Sequence, residues 1–241
     1  MLSILCLVPA GECLLCRCQS PQPGACPDCL DDLQHLALGQ NICSHCSLPL
    51  DRPDFLCGHC LRQPPDFSLS AIPFSYHYPL DHLITQFKYS GCHGSGRLLS
   101  CLLNAYLQTF YRTHPAVSLP DLVIATPLHW RRRWQRGFNQ SEYLARRAAA
   151  ALERPCINTA LKRQRATQPQ QGLSKRHRSA NVKGAFMVPT RQRARLQNKC
   201  VALVDDVVTT TTTAREISRV LIKAGAKDVH IWALARTPDH M

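Results

Sequence analysis

The stretch Val201-Ala202-Leu203-Val204-Asp205-Asp206-Val207-Val208-Thr209-Thr210-Thr211-Thr212-Thr213 decides the fold. Four apolar residues suit a short strand buried on both faces of a parallel sheet. Two adjacent carboxylates follow, then a hydroxyl-rich turn, then a helical pattern over about 213–224 that stops at Gly225. In open α/β sheets, ligands bind beyond the carboxyl ends of the strands. A helix N-terminus presents unpaired N–H groups and the positive end of its dipole, which favours phosphate. Neighbouring carboxylates accept hydrogen bonds from a sugar diol or hold Mg²⁺ through water. The order strand, acid pair, hydroxyl turn, helix therefore describes a site for a ribose 5-phosphate group. The plain alternative is a capped turn beside two surface acids.

The rest of the chain after residue 66 supports an α/β domain. Leu80, Leu83, Ile84 and Phe87 have helical spacing, ended by Gly91, and a second apolar helix is expected over about 97–111. Pro120–Thr126 reads as a buried strand, residues 139–152 as a helix stopped at Pro155, and 199–204 and 229–234 as strands. Residues 68–78 are strand-like, with Pro73 placing that strand at an edge. Strands alternating with helices predict a largely parallel sheet. Arg62-Gln63-Pro64-Pro65-Asp66 reads as an extended linker. The expected division is a small module over 1–62 and the α/β domain over 67–241.

The front module is rich in cysteine. Cys13/Cys16, Cys26/Cys29, Cys43/Cys46 and Cys57/Cys60 form four Cys-x-x-Cys pairs. A two-residue spacer lets both thiolates face one ion, and two such pairs complete a tetrahedral S4 shell. Eight ligands imply two zinc ions. Sequential pairing is simplest, and interleaved pairing stays open. The spacers Pro27-Asp28 and Gly58-His59 suit turns in hairpin-like ribbons. A segment this small with few aromatics builds little core, so staples are expected. His45 and His59 are expected as bystanders, Cys6 and Cys18 fit neither pattern, and Cys92, Cys101, Cys156 and Cys200 read as small apolar side chains. The opening Met1–Ala10 is apolar but lacks the basic start of a secretory signal, so it is expected to pack rather than to export. A chain kept in the cytoplasm holds its thiols reduced, which favours metal over disulfides.

Charge divides the chain in the same way. The net charge is +13, and 45% of the 241 residues are hydrophobic, which excludes a disordered chain. No run of about 18 apolar residues offers a membrane span. Residues 1–66 carry three basic and seven acidic side chains, whereas residues 131–199 carry 18 basic and two acidic ones. In that basic block Arg131, Arg132, Arg133 and Arg136 interleave with Trp130, Trp134 and Phe138, followed by Asn139 and Gln140. Aromatic planes among cations suit single-stranded nucleic acid, which stacks its bases and neutralises its phosphates on such surfaces. A solvated basic face, with Trp130 and Trp134 as core anchors, is the alternative.

The 201–213 stretch is similar to the phosphoribosyl-pyrophosphate signature of type I phosphoribosyltransferases. That resemblance implies that Asp205 and Asp206 hold ribose hydroxyls and that Thr209, Thr210, Thr211, Thr212 and Thr213 wrap the 5′-phosphate. It also implies that residues 126–140 form a pyrophosphate loop, and that Arg165, Gln168, Gln171, Arg176, Arg178, Asn181 and Phe186 belong to a hood over the site. The family normally has glycine where this chain has Thr211. A β-branched residue forced to positive φ is strained, so either the loop bends differently or phosphate is held less well. The cysteine pairs, Phe87-Lys88-Tyr89-Ser90-Gly91, Arg136–Gln140, the 171–186 run and Val204–Thr210 together resemble the ComF/GntX family, a double zinc ribbon followed by a phosphoribosyltransferase domain. The family implies a cytoplasmic protein of natural transformation that handles incoming single-stranded DNA. Its ribbons would recruit partners such as an uptake helicase or recombination proteins. Lys88, a basic residue at a helix end before Gly91, could reach phosphate, with a plain solvated C-terminal lysine as the alternative. The other activity it implies is Mg²⁺-dependent transfer from phosphoribosyl pyrophosphate to an acceptor that nothing in the chain identifies.

Overall fold

The predicted buried strand is the spine of the sheet, and it runs further than its apolar residues suggest. In the computed structural model, residues 11–22, 24–52, 55–89, 93–128, 134, 137–165 and 182–238 are described. In chain order the front module holds β1 (Gly11–Glu12), β2 (Gln19–Ser20), α1 (Pro27–His35) and α2 (Gly58–Arg62). The α/β part follows with β3 (Leu69–Ala71), β4 (Phe74–Ser75), α3 (Leu80–Tyr89), α4 (His93–Thr113), β5 (Leu122–Ala125) and α5 (Gln140–Ala151). It continues with β6 (Lys162–Arg163), β7 (Phe186–Met187), α6 (Thr190–Arg193), β8 (Cys200–Val208), α7 (Thr212–Lys223) and β9 (Asp228–Arg236).

The strand order is β3-β9-β8-β5, with β4 also on β9, and every pairing in this sheet is parallel. β8 pairs with β5 only as far as Val204↔Ala125, but with β9 as far as Val208↔Arg236. The strand was expected to end at Val204. It continues through Asp205 and Asp206 because β9 carries the ladder on after β5 has stopped. The two carboxylates therefore stand at a step in the sheet rather than in a turn. β3 and β4 lie at the edge, as Pro73 demanded, and the interruption between them is closed by Leu38 N–H donating to Pro73 O at 2.8 Å.

Residues of β8 alternate between two cores. Ala202 and Val204 share a cluster with Trp232 and Leu234 of β9 and with α3, α4 and α5. Val201 and Leu203 share the other with Ile231 and Ala233 and with Ile217 and Leu221 of α7. This is the double burial that a continuous apolar strand implies. The cysteine module joins the same two cores. Cys13, Cys26, Cys29 and Leu33 lie in the first cluster, while Cys43, Cys46, Cys57 and Cys60 lie in the second. The expected hairpin turns at the second pair of each set are helix starts instead: Cys26 and Cys57 are the N-caps of α1 and α2. Pro at the first helical position has a preset φ and no N–H to lose, which is why Pro27 opens a helix where a turn was expected.

The α3–α4 packing is tight at Gly96. A Cβ placed there would lie 2.5 Å from Phe87 Cε2. Phe87 is fully buried, and its ring meets Phe138 at 5.2 Å and Tyr143 at 5.3 Å. Gly96→Ala must therefore displace the ring that joins α3 to α5. Overpacking of this kind costs about 1–3 kcal/mol. A lowered thermal midpoint is expected in calorimetry, and an unchanged one would show that Phe87 can yield.

Candidate phosphate and metal sites

The step where β8 outruns β5 opens a cavity of about 700 Å³ lined by Asp205, Asp206, Thr209, Thr211, Thr212 and Thr213, with Tyr76, Lys88, Thr126, Gln140, Ser141 and Arg163 around them. Three elements fix the carboxylates. Asp205 Oδ1 accepts from Ser141 Oγ at 3.0 Å and from the Asp206 N–H at 2.9 Å. Asp206 Oδ2 lies 3.1 Å from Lys88 Nζ, an ion pair whose two side chains are 15–19% exposed. Gln140 Nε2 donates to Lys88 O at 3.3 Å, tying the end of α3 to the start of α5. Burial and the neighbouring Asp206 charge push the Asp205 carboxyl up to about 7. Burial works against the Lys88 ammonium, yet Asp206, with Tyr76 and Asp205 adding to it, holds the Lys88 pKa above its ordinary value.

The hydroxyl turn bends as a glycine loop would. Thr211 has φ 59° and ψ −3°, in the left-handed region, and is the N-cap of α7. Such a residue costs on the order of 1–3 kcal/mol unless its surroundings over-determine it. Here they do: Thr211 Oγ1 accepts from Arg215 Nε at 3.0 Å, and Thr211 O accepts the Arg215 N–H at 2.8 Å. Of the two outcomes expected for Thr211, a different bend is therefore not the one found. The Thr211 side chain makes no capping bond to α7, and Thr211, Thr212 and Thr213 at the helix start line the cavity. Thr210 and Thr212 hydroxyls bond each other at 2.8 Å.

Several predicted contacts have other duties. Lys88 lines the cavity and pairs there with Asp206. Asn139 caps α5: its Oδ1 accepts from Ser141 N at 3.1 Å and its Nδ2 donates to Thr126 O at 3.0 Å, which locks the end of β5 to the helix. Arg165 donates to Lys183 O at 2.9 Å and is absent from the cavity lining, where Arg163 stands instead. Trp134 is 86% exposed, so it is no core anchor. Arg131, Arg132, Arg133, Arg136, Gln168, Gln171, Arg176, Arg178, Asn181, Trp130 and the opening Met1–Ala10 lie outside the described residues. Tyr76, Ser141 and Arg163 were missed, because each is an ordinary polar residue that only chain crossing brings to the cavity.

The cysteines converge in sequence. Cys13, Cys16, Cys26 and Cys29 place their sulfurs within 4.8 Å of one another, and so do Cys43, Cys46, Cys57 and Cys60. A tetrahedral shell with metal–sulfur bonds of about 2.3 Å sets sulfurs about 3.8 Å apart. Cys16 and Cys26 Sγ are 3.6 Å apart and Cys46 and Cys57 Sγ 3.7 Å apart, far beyond a disulfide bond. Both groups fit a thiophilic divalent ion. The sequential pairing is the one found. Cys18 stands beside the first group, 3.2 Å from Cys16 Sγ. Cys101, expected as a small apolar side chain, is disulfide-bonded. Cys200 also departs from expectation, meeting Asp228 and His230 at the opposite end of the sheet. There the Asp228 carboxylate is already engaged by Ser68 Oγ and Val229 N–H, both at 2.7 Å, and His230 by Tyr111 OH at 2.8 Å. That group is a satisfied structural network.

The fold and this site define a phosphoribosyltransferase-like α/β domain joined to two tetra-cysteine ribbons. Competence protein F of Haemophilus influenzae is 34% identical to the chain over 227 residues, 93% of the chain and 96% of that protein. DNA utilization protein YhgH of Escherichia coli (strain K12) is 36% identical over 233 residues, 96% of the chain and 99% of that protein. The chain belongs to the family of competence protein F and DNA utilization protein YhgH, the ComF-like family that its motifs resemble. No protein-family model matches it. Among solved structures, the glutamine phosphoribosylpyrophosphate amidotransferase of B. subtilis is similar over 55% of the chain and 24% of its own length, at 25% identity and a TM-score of 0.35. A purine phosphoribosyltransferase from Pyrococcus horikoshii is similar over 56% of the chain and 80% of its own length, at 15% identity and a TM-score of 0.32. Among the described residues no helix is long and apolar enough to cross a membrane.

The raised Asp205 carboxyl has a measurable consequence. Its folded value of about 7 stands above the ordinary 3.8, so between those pH values the folded protein keeps a proton that the unfolded chain releases. Stability therefore falls as pH rises through that window. Asp205→Asn removes the loss, and at pH 8 it should stabilise the protein by roughly 2–4 kcal/mol, with little change at pH 4. Chemical denaturation across pH 4–8 checks this, and parallel curves for the two proteins would show that Asp205 is charged throughout.

Proposed function

We propose that the protein handles single-stranded DNA in DNA uptake and utilisation, with a phosphoribosyl ligand held in the cavity at the end of β8. The observation that carries the reading is the placement of two carboxylates and an uncapped, left-handed helix entry on one cavity, in a chain whose relatives are named for competence and DNA utilisation. The amides that open α7 donate to the 5-phosphate, and Asp205 and Asp206 accept from the ribose 2- and 3-hydroxyls. A deoxynucleotide lacks the 2-hydroxyl, and its 3-oxygen is esterified within a strand. The carboxylates therefore select a free ribose phosphate such as phosphoribosyl pyrophosphate with Mg²⁺, and they repel a DNA backbone. The strand itself belongs on the basic, aromatic segment that holds Arg131, Arg132, Arg133 and Arg136.

The second reading, transfer from phosphoribosyl pyrophosphate, is favoured by the loop geometry at Thr211, which leaves the phosphate turn intact. Transfer needs positive charge on the departing pyrophosphate, which Arg163 and the basic segment would supply. Zinc is the ion we assign to the ribbons, on the tetra-thiolate donor sets. Each ion would offset half of the charge of its four thiolates and staple the module. The ribbons, standing at the sheet edge, offer a surface for an uptake helicase or a recombination protein, and the cytoplasm is the compartment that suits unoxidised ligands.

Elemental analysis of the purified chain is expected to return about two zinc ions per molecule. Serine in place of Cys43 or Cys60 should leave about one, whereas loss of both ions would show that the two groups are not independent. Single-strand binding should weaken steeply with salt, since bound phosphates release counterions. Replacing Arg131, Arg132 and Arg133 with alanine should abolish most of it at moderate salt. Calorimetry with Mg²⁺–phosphoribosyl pyrophosphate should show binding that Asp205→Asn/Asp206→Asn removes. A wild-type protein blind to that ligand would dismiss the cavity reading, and a triple arginine variant that binds DNA normally would dismiss the strand assignment.

A further inference from the structure

Two arginines join the second cysteine group to the phosphate turn. Arg215, in the first turn of α7, spreads its guanidinium between them: Nε donates to Thr211 Oγ1 at 3.0 Å, Nη1 to Gln63 O at 2.6 Å and Nη2 to Cys60 Sγ at 3.3 Å. Arg236, buried at the end of β9, donates from Nε to Cys46 O at 3.1 Å and from Nη1 to the carbonyls of Val208, Thr209 and Thr237. One arginine thus grips the turn where it leaves β8, the other where it enters α7, and both are anchored on residues of the second cysteine group or next to it. The first group sits on the opposite core, where Gly24 meets Leu98 of α4.

We infer that Arg215 is a positioning residue that couples metal occupancy of the Cys43/Cys46/Cys57/Cys60 group to the shape of the 209–213 turn, and hence to phosphoribosyl binding. The inference rests on the phosphate reading of that turn. Its physical basis is threefold. Thr211 is a β-branched residue at positive φ, a conformation that persists only where neighbours impose it. The Arg215 Nε bond supplies that constraint and gives the Thr211 hydroxyl a use that glycine lacks. The Cys60 sulfur and the Gln63 carbonyl, on and just after α2, hold the other two ends of that guanidinium, and a metal held by Cys57 and Cys60 would fix α2 in place. Metal bound at the second group therefore fixes Arg215, and Arg215 fixes the turn. Coupling of this kind is reciprocal, so a ligand seated on the turn must also tighten the metal.

The test uses the full-length, metal-loaded protein with Arg215→Gln, Arg215→Lys and, as a control on the same helix, Arg219→Gln. Arg219 pairs with Glu216 at 2.5 Å and touches neither the turn nor a cysteine. Backbone hydrogen exchange over residues 208–214 is expected to be about tenfold faster in Arg215→Gln, with the Mg²⁺–phosphoribosyl pyrophosphate dissociation constant raised by a like factor. Arg219→Gln should match wild type in both. Mg²⁺–phosphoribosyl pyrophosphate should slow the release of one of the two metal ions to a chromogenic chelator in wild type, and of neither in Arg215→Gln. Unchanged exchange in Arg215→Gln, or ligand that slows both ions or neither in wild type that binds it, overturns the coupling. If wild type binds no phosphoribosyl pyrophosphate, the phosphate reading fails, and exchange over 208–214 with the second group loaded and chelator-stripped still decides whether metal shapes the turn. If Arg215→Gln fails to fold, Arg215→Lys decides: it retains one donor, cannot bridge all three acceptors, and should show an intermediate increase in exchange.

Discussion

The parallel ladder between β8 and β9 is the constraint on which the rest of the structure depends. It is longer than the ladder between β8 and β5, and the difference of four residues creates the cavity. Asp205 and Asp206 are carried past the last rung of β5 as part of a rigid strand, so their positions are set by backbone hydrogen bonding rather than by loop conformation. Asn139 finishes the step: by bonding Thr126 O and capping α5, it stops β5 and begins the helix that delivers Ser141 to Asp205. A cavity built this way is shaped by the fold itself, and such organisation lowers the ordering cost for any ligand the cavity would take.

The same placement creates an electrostatic problem. Two carboxylates on consecutive residues of a buried strand cannot both be charged cheaply. The protein meets this in two ways, with Lys88 held against Asp206 and Asp205 left near the middle of its titration at neutral pH. A pair of acids so arranged can accept two hydroxyl hydrogens or a hydrated cation, and either ligand would draw the Asp205 proton off. Eighteen of the basic residues that make the chain so cationic fall within the 131–199 stretch of the sequence.

The cysteine module is more than an appendage. Its two groups straddle the sheet edge, one in each core, so each ribbon borrows apolar partners from the α/β part. That sharing offsets the small core such a module can build for itself, and it brings Cys46 and Cys60 within reach of Arg236 and Arg215.

How much of this was legible depended on how local each cause is. Apolar runs and their helical or strand periods located β5, β8, β9 and the helices α3, α5 and α7 to within a few residues, because burial on one or both faces writes itself into spacing. The acid pair, the threonine turn and the four cysteine pairs were equally visible, since each needs its residues side by side. The sequence itself showed that Thr211 stands where a glycine-like bend would strain it, but that the bend is kept, and held by an arginine four residues along and through it by a sulfur 155 positions before that arginine, was decided by the fold. Strand length past Val204 was hidden because it is conferred by a partner strand and not by the residues of β8. The duties of Lys88, Asn139 and Arg165 were hidden for the same reason: a polar side chain carries no mark of whether it will meet a ligand or a neighbour. Composition and spacing determine which chemistry the chain can hold, and tertiary structure decides which groups are spent on holding the others in place, because hydrogen bonds and ion pairs are made between residues that the chain separates and the fold reunites.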